Sequence, residues 1–124
     1  MALEYVPQRE TFGAPLSTRQ SIQWMLVDND IDIRQSLWIT VEAASKAQQG
    51  ESFRKEAAMA KLVATEAGGR VVDRCMQMFG GLGVAKDLPF ERWYREMRIR
   101  RIGEGPSEVQ RHVIARELLG ASLR

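Results

Sequence analysis

Apolar positions recur at steps of three and four along most of the chain, and no stretch alternates convincingly as a half-buried strand would. Ile22, Met25, Leu26, Ile33, Leu37, Val41 and Ala44 form one stripe, which predicts a long helix up to about Gln49 closed by Gly50. Ser17 followed by Gln20 has the capping-box pattern, so that helix is expected to begin there. Ala57, Ala60, Ala64, Ala67, Val71, Cys75 and Met78 form a second stripe of smaller residues. It predicts a helix of roughly 25 residues packed closely against its neighbours. Gly68 and Gly69 inside that helix each cost about 1 kcal/mol relative to alanine, which close backbone approach by another element would offset.

The breakers divide the rest. Gly80 and Gly81 end the second helix, Leu82 to Leu88 is expected to turn, and Pro89 opens a shorter helix through about Arg98. Pro106 opens the last helix, with Glu108 near its positive end and Gly120 after it. Before the first long helix, residues 1–16 hold a helical remnant followed by the breakers Gly13 and Pro15. The expected fold is one all-α domain over residues 1–124, an up-and-down four-helix bundle.

Composition adds limits. A chain of 124 residues suffices for one core, and its hydrophobic content of 44% is ordinary for a protein in water. No apolar run reaches the roughly 20 residues of a membrane span, and the N-terminus lacks a signal-peptide pattern. With a lone cysteine, Cys75, a reducing, cytoplasmic setting is expected. The net charge of +2 is nearly balanced, although Arg92, Arg95, Arg98, Arg100 and Arg101 cluster. With Trp93 and Tyr94 nearby, that cluster offers a nucleic-acid reading. Glu91 and Glu96 among the arginines favour instead a salt-bridged helix face, and no nucleic-acid partner is expected.

Candidate chemistry is sparse. The single histidine, His112, reads as a solvated helix residue, Cys75 as a small core hydrophobe, and no metal-ligand spacing occurs. The run "FGGLG" follows a helix, so it lacks the strand that a dinucleotide fingerprint requires. More distinctive is "RRIGEGPSEVQRH", where Glu104 stands between two glycines just ahead of a proline. Flanking glycines would let a carboxylate loop approach a substrate closely. On the residues alone, the favoured role for this acid is to stabilise the start of the following helix through the helix dipole.

In order and spacing, "YVPQRETFGAPL", Gln20, "AAMAKL", "QMFGGLG" and "DLPFERWYREMRIRRIGEGPSEVQRHVIARELLG" resemble the C-terminal α-helical domain of flavin-dependent acyl-CoA dehydrogenases. The resemblance spans nearly the whole chain. It implies FAD as cofactor, an acyl-CoA thioester as substrate, and Glu104 as the base that removes the α-proton while the β-hydrogen leaves as hydride to the flavin. It also implies that Arg9 and Phe12 reach the adenosine diphosphate part of FAD held by a neighbouring subunit. By the same resemblance Gln20, Gln77, Gly80, Gly81 and Glu108 lie by the cofactor, and Gly105 by the substrate. On the residues alone, Arg9 could instead pair with Glu4 or Glu10, and Gln77 could simply be solvated.

Two departures qualify the resemblance. The family usually reads Tyr-Glu-Gly-Thr where this chain has Gly103-Glu104-Gly105-Pro106, which implies an altered acyl pocket. Family members also have an N-terminal helical domain and a middle β-domain that are not in this sequence. The chain alone is therefore expected to bind FAD weakly or not at all, to lack activity, and to associate with itself or with a partner supplying those domains. The alternative is a noncatalytic helical-bundle subunit or oligomerisation module.

Overall fold

The computed structural model describes residues 1–120. Six helices account for most of them: α1 (Ala2–Tyr5), α2 (Gln20–Gln48), α3 (Arg54–Phe79), α4 (Gly81–Val84), α5 (Phe90–Arg100) and α6 (Ser107–Leu119). The expected all-α fold with four principal helices is what is observed. A two-residue hairpin, β1 (Glu10–Thr11) against β2 (Ala14–Pro15), is a small addition to it. Its tip residues Phe12 and Gly13 both have positive φ, 50° and 74°, as a tight hairpin turn needs. No helix among the described residues is long and apolar enough to cross a membrane.

α3 is the hub. No residue from Lys55 to Gly69 is exposed, because α2 covers one side of the helix and α5 and α6 the other. α2 runs antiparallel to α3: Ile22 packs with Met78, Asp32 bonds Arg70 and Arg74, and Lys46 bonds Glu56. α5 and α6 both run antiparallel to α3, one after the other. Phe90 lies 4.6 Å from Phe79 between ring centroids, Met97 lies over Gly68, and Ser107 bonds Glu66. The loop between α5 and α6 therefore crosses the flank of α3 near its middle.

The stripe expected to seat the first long helix is seen only at its start. Ile22 is buried and Met25 and Leu26 are half-buried, but Ile33, Leu37, Val41 and Ala44 are exposed. The seam continues through Asn29, Asp32, Ser36 and Ala43 instead. Polar groups can occupy it because α3 supplies partners: Arg70 Nε donates to Asp32 Oδ2 at 3.1 Å and Arg74 Nη1 to the same oxygen at 2.7 Å. The apolar half of α2 is left facing outward.

Three local expectations need correction. α2 begins at Gln20, not Ser17, and no side chain caps it. Ser17 lies in a short 3-10 turn and donates its backbone N–H to the Val6 carbonyl at 3.0 Å, so it is already committed to the N-terminal segment. The segment after Gly81 is not all turn but begins with α4, which lies directly on α3. A Cβ on Gly83 would come within 2.6 Å of the Met76 carbonyl oxygen. Finally, the group approaching Gly68 is the Met97 side chain and not a backbone, while Gly69 has only the Arg101 Cδ at 4.0 Å.

Candidate functional site

Glu104 has a φ of 54° and Gly105 one of 88°, so the chain turns left-handed at two consecutive residues. For a residue with a side chain this costs about 1–2 kcal/mol and persists only where surrounding bonds fix it. Those bonds come from two helices. Lys61 Nζ on α3 donates to the Gly103 carbonyl at 3.1 Å and the Gly105 carbonyl at 2.6 Å. Gln110 Nε2 on α6 donates to the Gly105 carbonyl at 2.9 Å and, more weakly, to the Glu104 carbonyl at 3.5 Å. All three loop carbonyls are thereby occupied.

The two glycines are not equivalent. A Cβ on Gly105 would fall 2.7 Å from Gln110 Nε2, which would have to move from its bond, at a φ that strains side chains, so glycine is favoured there. At Gly103 the φ is ordinary and the nearest atom to a Cβ would be the Ile99 carbonyl oxygen at 3.5 Å, so a side chain fits there. The backbone is released on one side of Glu104 only.

A second tie holds the ends of the loop. Glu66 accepts from Ser107 Oγ at 2.7 Å and meets Arg101 Nη2 at 2.9 Å, joining the end of α5 and the start of α6 through one carboxylate on α3. Burial pushes the Glu66 carboxyl up, but the Ser107 hydroxyl and the Arg101 charge outweigh it and hold the group below the usual range. The Glu104 side chain is exposed, and its carboxylate makes no hydrogen bond or ion pair among the described residues. It does not bond the first turn of α6, where Glu108 sits exposed.

The remaining candidates gather elsewhere. Tyr5 stacks on Phe79 with ring centroids 4.0 Å apart, and Val6 shares a core with Ile22 and Met78. This brings the hairpin with Arg9 and Phe12, the start of α2 with Gln20, and the end of α3 with Gln77, Gly80 and Gly81 to one end of the molecule. All six are exposed, Phe12 almost completely at 99%. Arg19 steadies the hairpin by donating to the Thr11 carbonyl at 2.7 Å. From Lys61 to Gln77 is sixteen residues of α3, roughly 24 Å at helical rise. One chain thus keeps Glu104, Gly105 and Glu108 well apart from the other six.

This donor set is compatible with a dinucleotide diphosphate. Arg9 forms no ion pair among the described residues, Gln77 offers an uncommitted amide, and nothing within 4 Å crowds Gly80 or Gly81. Elsewhere the arginine cluster is used along α5, where Arg95 meets Glu91 at 3.1 Å and Arg92 meets Glu96 at 3.6 Å. His112 is exposed, and Cys75 is half-buried against the core with its thiol pushed up by burial.

Lys61, Glu66, Gln110 and Ser107 were not singled out from the sequence. Lys61 had a signal: a cation amid the small residues of "AAMAKL" must send its charge somewhere other than the helix seam.

An all-α domain with a glycine-bearing carboxylate loop at mid-helix and an exposed polar edge at one end is a domain type with known members. The family model described as acyl-CoA dehydrogenase, C-terminal domain, matches residues 1–119, and the chain belongs to that family. It is 44% identical over 118 residues to the mitochondrial short-chain specific acyl-CoA dehydrogenase of Bos taurus, covering 95% of this chain and 29% of that protein. Its fold is similar to butyryl-CoA dehydrogenase from Megasphaera elsdenii, with a TM-score of 0.92 and 40% identity over 95% of this chain and 31% of that one. It is also similar to PigA in an FAD complex, with a TM-score of 0.91 and 29% identity over 94% of this chain and 30% of that one. The chain spans about three tenths of the length of the relatives it matches.

Proposed function

We propose that this chain supplies the proton-abstracting base and one edge of the cofactor site of an FAD-dependent acyl-CoA dehydrogenase. The observation that carries the reading is the Glu104 carboxylate: unpartnered among the described residues and exposed, on a backbone whose three carbonyls are all bonded. A group held this way can reach a bound thioester with little reorganisation on binding. The chemistry FAD supplies when bound is acceptance of a hydride from the substrate's β-carbon. Glu104 takes the α-proton onto its carboxylate, and the electron pair of that C–H bond becomes the new Cα–Cβ double bond.

Arg9, Phe12, Gln20, Gln77, Gly80 and Gly81 would hold the adenosine diphosphate portion of FAD, the guanidinium against the diphosphate and the glycines allowing close approach. Their distance from Glu104 supports a shared arrangement, in which this edge serves the site of a neighbouring subunit. Glu108 would lie by the cofactor and Gly105 by the substrate. The chain alone then offers part of a pocket, and weak or absent FAD binding is expected of it.

The outward apolar face of α2 favours a second reading, a helical module whose main role is assembly. Glu104→Gln in the flavin-containing assembly decides between them. The dehydrogenase reading expects acyl-CoA binding to persist while flavin reduction slows by about 100-fold or more. An unchanged reduction rate sinks it.

A further inference from the structure

We infer that Lys61 is a positioning residue for the reaction: its ammonium group holds the backbone on both sides of Glu104 and so aims the carboxylate. The inference rests on Glu104 being the base. Lys61 lies more than forty positions before the loop in sequence, yet its Nζ bonds the carbonyls immediately before and after that one residue. No carboxylate pairs with this half-buried ammonium among the described residues, so its charge acts on the loop backbone. Gln110 bonds the same loop from the opposite helix, but only on the C-terminal side of Glu104. Lys61 alone of the two spans the residue, and without it the carbonyl before Glu104 loses its partner, leaving the Gly103 N–H to the Ile99 carbonyl at 2.8 Å as the tie to the end of α5. The Glu66–Ser107–Arg101 tie fixes where the loop begins and ends, not the orientation of Glu104 within it.

The test compares Lys61→Met, Lys61→Arg and Glu104→Gln. In the 124-residue chain, backbone order parameters at Glu104 and Gly105 in Lys61→Met should fall from about 0.85 to below about 0.6, with Val113 on α6 unchanged. Lys61→Arg should recover part of the loss. In the flavin-containing assembly, Lys61→Met should reduce flavin reduction at least about tenfold with KM for acyl-CoA within about twofold, a split that general loosening would not produce. Unchanged order parameters overturn the inference, and so does a rigid-to-mobile change with no effect on reduction. If Lys61→Met does not fold, the wild-type chain decides: a slowly exchanging, motionally restricted Lys61 ammonium signal supports the clamp, and a freely rotating one overturns it. Normal reduction by Glu104→Gln, with the order-parameter change intact, overturns the base assignment instead.

Discussion

The sulfur of Met97 lies 2.8 Å from where a Cβ on Gly68 would sit, so α5 rests on α3 through a flexible side chain at a bare point of the helix. What a methyl group would meet at each of three glycines sets the expected response to substitution there. Gly68→Ala gains helix propensity but must push Met97 aside, and the two effects nearly cancel. Gly69→Ala meets nothing closer than 4.0 Å and should stabilise by up to about 1 kcal/mol. Gly83→Ala would drive a Cβ into the Met76 backbone, which cannot swing away, and should cost about 1–3 kcal/mol. Thermal melts of the three variants check the order, and a neutral Gly83→Ala would contradict the packing described for α4.

Helix number and approximate extent were legible because three- and four-residue periodicity and Gly/Pro punctuation are local signals. The inward face of α2 was not, because a count of apolar residues passes over Asn29 and Asp32, whose burial depends on arginines about forty residues away. The Glu104 loop was legible as a pattern of residues. Most of its support was not, since Lys61 and Glu66 become neighbours of the loop only once α5 and α6 pack along α3.

Two buried carboxylates on the α2–α3 seam make acid sensitivity testable. The Lys46 ammonium bonds Glu56 at 2.7 Å and lowers its carboxyl from 4.5 to about 2. Hydrogen bonding from Arg70, reinforced by Arg74 and opposed by burial, holds Asp32 below its ordinary value. Both pKa values are lower folded than unfolded, so their stabilisation is full above the ordinary carboxylate range and declines as pH falls from about 4.5 towards 2. The melting temperature should drop through that window, and Glu56→Gln should flatten the slope. A wild-type melt independent of pH there would contradict these pairings.

On the outer face of α2, Trp24, Ile31 and Trp38 recur every seventh position at 60%, 47% and 68% exposure, with Val27 and Val41 beside them. A heptad-spaced aromatic and aliphatic stripe of this kind is suited to pairing with another helix. The chain is therefore expected to self-associate at micromolar concentration, and Trp38→Glu should shift it to monomer without loss of helicity. Sedimentation velocity of both forms measures this. A monomeric wild type would rule out pairing of this face with a second copy.

The unequal glycines around Glu104 give the sharpest test of the loop. Gly105→Ala places a methyl group 2.7 Å from Gln110 Nε2 at a φ of 88°, so Gln110 must release the carbonyl or the turn must reopen. Either outcome moves Glu104. The substitution should destabilise the chain by about 1–3 kcal/mol and, in the flavin-containing assembly, slow flavin reduction by an order of magnitude or more. Gly103→Ala has space and an ordinary φ, and should leave the melting temperature and the bonds from Lys61 essentially as they are. Side-by-side melts and flavin-reduction rates for the two variants separate a loop shaped at Gly105 from one that merely needs small residues. Equal effects at both positions would count against the geometry assigned to Glu104.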